Sequence, residues 1–134
     1  MKIIIFTENN RGGGMDTFIA SLIKNWPNKD DFIVICNHNH PGLKYLNDIL
    51  PKGVEVICHS LPLNWSFLGG FLKFLPKIIQ RITRQLFRVL LAPYQYLRIK
   101  RILENSKANQ LISVNGGYPG GETCRLATIA WYSL

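Results

Sequence analysis

Two short apolar runs in this chain, Lys2 to Phe6 and Phe32 to Cys36, do not alternate with polar residues, and Val54 to Ile57 and Leu111 to Val114 read as two further strands. A strand with one wet face alternates with period two. A continuous β-branched run predicts burial on both faces, the pattern of a parallel sheet covered by helices. Helical patterns lie between the runs. In Met15 to Trp26, Phe18, Leu22 and Trp26 recur four apart on one face with Ile19 and Ile23 beside them, and Pro27-Asn28 ends the pattern. Leu43 to Leu50 is a second, short helix stopped by Pro51, and Glu122 to Leu134 reads as an apolar helix. Strands alternating with helices predict an α/β fold, a Rossmann-like doubly wound parallel sheet in a single domain over residues 1–134. At 134 residues, 47% hydrophobic and 18% charged, the chain suits one globular domain with a sizeable core.

The charge is unevenly placed. Between Glu55 and Glu104 there is no Asp or Glu, yet Lys73, Lys77, Arg81, Arg84, Arg88, Arg98, Lys100 and Arg101 all fall there. The remaining basic residues balance the acidic ones, so the formal net charge of +8 is local. Pro76 suits the first turn of a helix. At ~100° per residue, Lys73, Lys77, Arg81, Arg84 and Arg88 fall within an arc of about 80°. Ile78, Ile79, Ile82, Leu86, Val89 and Leu90 fall opposite. With Trp65, Phe67 and Phe71 just before it, residues 64–101 read as a basic amphipathic, membrane-facing insertion. The competing expectation is an ordinary surface helix, its apolar face in the core and its basic face solvated. A solvated face usually mixes signs, and this one does not. Nucleic acid is not expected, because the segment is very apolar and has no recognisable reading motif.

Other classes are excluded more simply. Thr7-Glu8-Asn9-Asn10-Arg11 interrupts the first apolar run too early for a secretory signal. Charges break the apolar regions well short of the ~20 residues of a membrane span. Cys36, Cys58 and Cys124 have no metal-type spacing and read as reduced thiols of a cytoplasmic protein. Cys36 and Cys58 both close expected strands, and small buried residues are their simplest reading. His38 and His40 form an H-x-H on a polar loop, but with His59 the only other histidine they are expected to be solvated, and no metal is expected. Asp16 reads as a helix-start residue.

Two glycine segments follow strands and open helices. Gly12, Gly13 and Gly14 follow the first strand, where backbone N–H groups and a helix N-terminus favour a phosphate. The segment is not a P-loop. Nor is it a dinucleotide fingerprint, because Thr17 stands at the third glycine and Cys36-Asn37 brings no carboxylate for a ribose. Asn115-Gly116-Gly117-Tyr118-Pro119-Gly120-Gly121 follows the fourth strand, and Tyr118 is placed to stack on a sugar. For each segment a purely structural turn is the alternative.

The run Lys2-Ile3-Ile4-Ile5-Phe6 leading into Gly12-Gly13-Gly14-Met15-Asp16-Thr17-Phe18-Ile19-Ala20-Ser21-Leu22-Ile23, together with Ile112 to Gly121, resembles the N-terminal half of GT-B glycosyltransferases of the family 4 retaining group. The resemblance implies a two-domain sugar transferase with this chain as its acceptor-side domain. Gly13 and Gly14, with Gly12, would face the diphosphate of a nucleotide-sugar donor. Asn115, Gly116, Gly117 and Tyr118 would line the acceptor cleft. It also implies peripheral attachment to the inner face of the cell membrane and a glycan or lipid-linked acceptor. No cofactor is implied, since the nucleotide-sugar is a substrate. The glutamate pair of the family's C-terminal domain has no counterpart here. The histidine that many members carry after the fourth strand is replaced by Asn115-Gly116-Gly117.

The apolar ending Ala130-Trp131-Tyr132-Ser133-Leu134 carries no helix-stop signal, so a missing C-terminal domain is expected, and no catalytic residue is assigned. Two other readings stand beside the transferase: a non-catalytic α/β module that binds anionic membranes, and a nucleotide-binding domain of another class.

Overall fold

A computed structural model describes residues 1–9, 13–62, 74–115 and 121–134. Its sheet has four parallel strands in the order β3-β2-β1-β4. They are β1 (Lys2–Glu8), β2 (Asp31–Asn37), β3 (Glu55–His59) and β4 (Gln110–Asn115). The helices are α1 (Gly14–Lys24), α2 (Leu43–Ile49), α3 (Lys77–Ser106) and α4 (Glu122–Trp131). This is the α/β, Rossmann-like sheet expected from the non-alternating runs. Ile3, Ile4, Ile5 and Phe6 of β1 are all fully buried, because the strand is central and helices cover both of its faces.

Side chains leave the two faces alternately. Ile3, Ile5, Phe32, Val34 and Val56 pack with Ile19 and Ile23 of α1 and Leu46 of α2. Ile4, Phe6, Ile33, Ile35 and Ile57 pack with Ile99 and Leu103 of α3 and with Cys124, Ala127 and Ala130 of α4.

Several details depart from expectation. Thr7 and Glu8 continue β1 rather than opening a loop, and both are buried. On α1 the core-facing residues are Asp16, Ile19, Ala20 and Ile23, whereas Phe18 is 54% exposed. Of the expected Phe18–Leu22–Trp26 face, Leu22 and Trp26 pack against the core beside buried Ile19 and Ile23, while Phe18 turns outward. Helix α4 stops at Trp131, three residues before the expected end at Leu134, with Ser133 Oγ bonding the Ala130 carbonyl at 2.7 Å.

Cys36 and Cys58 are register partners, with sulfurs 3.9 Å apart. Cys36 is buried as expected, but Cys58 is exposed because β3 is an edge strand. Burial pushes the Cys36 thiol up to about 12, with the neighbouring Cys58 adding to the shift. Burial likewise pushes Cys124 up to about 12.

Candidate functional site

In an open parallel sheet, ligands meet the carboxyl ends of the strands where the strand order reverses. Here the chain steps from β1 outward to β2 and β3, then returns to place β4 on the other side of β1. The reversal therefore lies between β1 and β4. Glu8 and Asn115 are register partners at the top of that pair. The strands that precede the two glycine segments thus end side by side. Gly12, Gly116, Gly117 and Tyr118 lie outside the described residues.

Gly13 and Gly14 open α1, and both are exposed. Gly13 has φ 164, extended backbone that any residue adopts. A Cβ on either glycine would meet nothing within 4 Å. Neither folding strain nor crowding among the described residues demands glycine there. A flat, open backbone surface is what remains.

The helix end across the reversal point is already occupied. Glu8 Oε2 accepts hydrogen bonds from the Thr123 N–H at 2.9 Å and from the Thr123 hydroxyl at 2.5 Å. Glu8 and Thr123 are buried, so this carboxylate supplies the anion that the N-terminus of α4 favours.

Behind the first glycine segment lies a buried polar cluster. His40 Nε2 stands 2.9 Å from Asp16 Oδ1, and both side chains are essentially inaccessible. Asn9 Nδ2 donates to the same oxygen at 3.4 Å, while the Asn9 N–H donates to Asn37 Oδ1 at 2.8 Å. Any Cβ at Gly42 would collide with the Asp16 carboxyl, so Gly42 admits this group against the backbone. His40 is therefore not the solvated loop residue the H-x-H pattern suggested, because the turn after β2 folds it inward onto α1. His38 is exposed as expected.

His59 ends β3 on the opposite face, stacked on Phe6 with ring centroids 5.5 Å apart. It is 5% exposed, and neither ring nitrogen has a hydrogen-bond partner among the described residues. Burial pushes its pKa down to about 4, against the opposing pull of the Glu8 carboxylate. Among the described residues no group of three or more His, Cys, Asp and Glu side chains could hold a metal ion.

Helix α3 packs beside α4 on the face of the sheet that carries Ile4 and Phe6. Gln95, Ile99, Leu103 and Ser106 are its buried residues, all in the second half. The stretch from Gln95 to Ser106 spans about 18 Å, close to the ~20 Å of a six-residue strand. Among the described residues the first half has no comparable line of buried side chains. Ile78, Ile82, Leu86, Val89 and Leu90 are exposed there, Ile78 at 75% and Val89 at 69%. An ordinary surface helix with its apolar face in the core is therefore not what forms. Lys77, Arg81 and Arg84 are exposed, and Arg88 Nε pairs with Glu122 Oε1 at 3.1 Å. Since Glu122 is the first residue of α4, this bond ties the first half of α3 to the start of α4. Pro93 lies inside α3, which continues through it. Lys73, Trp65, Phe67 and Phe71 lie outside the described residues. No described helix is long and apolar enough to cross a membrane.

A sequence reading could have found the Asp16–His40 pair only by folding two loops together, since 24 residues separate them. For His59 the signal was present: a histidine closing a strand otherwise read as buried on both faces. No known family model, curated protein or solved structure matches this chain, so its assignment to the doubly wound α/β class rests on the sheet itself.

Proposed function

We propose that this chain is the acceptor-side domain of a glycosyltransferase that moves a sugar from a nucleotide-sugar to a lipid-linked glycan acceptor at the inner face of an anionic membrane. One observation carries the reading. The first half of α3, tied to the start of α4 through Arg88 and Glu122, leaves a row of large apolar side chains exposed and carries a row of cations on its other side. An exposed apolar row of this kind marks a contact surface. A helix with so exposed an apolar face suits a membrane interface. Its tie to the start of α4 would bring a membrane-borne acceptor to the place where this fold class binds ligands.

The glycine turn supports the donor side of the reading. Gly13 and Gly14 offer backbone N–H groups at a helix start with no internal need for glycine. Turnover needs a donor-binding domain to close over that turn, so no catalytic residue is assigned here.

The test separates folding from binding. Gly13→Ala and Gly14→Ala should leave stability unchanged or raise it by up to about 1 kcal/mol, because alanine restricts the unfolded chain and meets no obstacle in the fold. In amide NMR titrations with UDP-glucose and GDP-mannose, the native Gly13 and Gly14 resonances should shift. Binding by the alanine variants should weaken at least about tenfold, as backbone access to the diphosphate narrows. Equal binding by native chain and variants, or no shift with either nucleotide-sugar, argues against the donor assignment.

A second reading is favoured by Glu8. Its carboxylate already satisfies the start of α4, so one of the two helix N-termini at the reversal point is closed to a phosphate. A non-catalytic module that only binds anionic membranes fits that closure, and predicts vesicle binding with no response to nucleotide-sugars.

A further inference from the structure

The two stripes of α3 point in different directions, and only one points outward. At ~100° per residue, Lys77, Arg81, Arg84 and Arg88 fall within an arc of about 60°. Gln95, Ile99, Leu103 and Ser106, which seat the second half of the same helix on the body, fall within an arc of about 80° that overlaps it, with Leu103 at the edge nearer the apolar group. The centre of the apolar group Ile78, Ile82, Leu86, Val89 and Leu90 lies about 140° away. The basic stripe is therefore turned toward the edge of the sheet, and the Arg88–Glu122 pair is a direct instance. Pro93 lies on the outer, apolar side. Its ring crowds the preceding turn there, which favours a bend toward the basic side, over the edge.

We propose that the stripe Lys77–Arg81–Arg84–Arg88 holds the diphosphate that joins the acceptor glycan to its lipid, while the apolar stripe alone enters the leaflet. With the apolar side down in the membrane, the basic side faces away from the headgroups and toward the start of α4, where Arg88 meets Glu122. Successive side chains three and four apart on a helix stand ~5–6 Å from one another, a spacing that lets two guanidinium groups share adjacent phosphoryl groups. Arginine's planar fork matches phosphate oxygens two at a time. Among the described residues Arg88 is the only member of the four with a carboxylate partner, so Lys77, Arg81 and Arg84 keep their charge for a ligand. The inference rests on the glycosyltransferase reading for the nature of the acceptor, and on α3 alone for the site.

The test uses the intact chain, geranyl diphosphate as a soluble probe, and vesicles of phosphatidylcholine mixed with phosphatidylglycerol. Calorimetry reads the first and flotation the second. Arg81 and Arg84 are exposed, so Arg81→Gln/Arg84→Gln should fold as the native chain does, checked by circular dichroism. It should lose at least about tenfold in geranyl diphosphate affinity, two charge-assisted contacts being removed. Its vesicle binding should fall by less than about threefold, whereas two arginines lying on the leaflet would cost about thirtyfold at ~1 kcal/mol each. Ile82→Ser/Leu86→Ser should show the reverse, losing flotation and keeping the diphosphate.

Loss of vesicle binding by the arginine variant with unchanged geranyl diphosphate affinity overturns the inference. So does failure of the native chain to bind the probe. The parent reading fails separately. If the diphosphate binds through Arg81 and Arg84 but no nucleotide-sugar shifts Gly13 or Gly14, the stripe stands as a diphosphate site and the transferase assignment falls. If the nucleotide-sugars shift those glycines while Arg81→Gln/Arg84→Gln binds geranyl diphosphate normally, this inference alone falls.

Discussion

Replacing His40 with alanine is expected to cost about 3–5 kcal/mol of folding stability, the range for removing one partner of a buried pair. His40 Nε2 and Asp16 Oδ1 are 2.9 Å apart in a region closed to solvent. Without the imidazole, the Asp16 carboxyl keeps only the long 3.4 Å contact from Asn9, and its other oxygen has no partner among the described residues. It cannot swing out to water, because the backbone at Gly42 packs directly against it. The variant also opens a cavity between α1 and the turn after β2. His38→Ala, two residues away on the exposed side of the same turn, is the control and should stay within about 0.5 kcal/mol of the native chain. Urea denaturation of the two variants measures the difference. Equal, small losses would show that the buried pair contributes little to the fold.

Acidification is expected to remove roughly 3 kcal/mol between pH 6.5 and 4, through His59 alone. Its ring sits neutral against Phe6, and burial holds its pKa near 4 where an ordinary histidine titrates near 6.5. In that window the unfolded chain binds the proton and the native chain does not. Stability therefore falls as pH falls. The contribution is complete above about 6.5 and fully lost below about 4. Stability against pH sums over every group in the chain, so the informative quantity is a difference between two proteins. His59→Phe keeps an aromatic ring on Phe6 and removes the proton site. Subtracting its stability-against-pH curve from that of the native chain should isolate the slope. Parallel curves would mean that His59 reaches solvent and takes up its proton in the fold.

The sheet was legible because burial on both faces leaves an unmistakable pattern. Ile3, Ile4, Ile5 and Phe6 can all be apolar only when helices cover both sides. The polar cluster was less legible. Asp16 and His40 belong to segments that look like a helix start and a wet loop, and only tertiary folding makes each the other's solvent. Phe18 misled for a related reason. It shares a stripe with Leu22 and Trp26, which reach the core, yet the innermost line of α1 runs through Asp16, Ile19, Ala20 and Ile23. For α3 both stripes were readable from spacing alone. Their directions were not, because the reference line is the packing of Gln95, Ile99 and Ser106 in the second half. Gly13 and Gly14 were read either as a ligand surface or as a structural turn. The open space around both, and the ordinary extended backbone of Gly13, remove the steric argument for the turn.

The central claim is that α3 meets the membrane with its apolar stripe and turns its basic stripe inward over the sheet edge. Depth-dependent quenching tests it most directly. Cys58 is exposed, so a Cys58→Ser background prevents its labelling. A thiol-reactive fluorophore is then attached through Leu86→Cys or Arg84→Cys, and each protein is bound to phosphatidylcholine–phosphatidylglycerol vesicles containing brominated acyl chains. The label at position 86 should be quenched strongly and the label at position 84 hardly at all. Equal quenching at both positions, or stronger quenching at 84, would contradict the account.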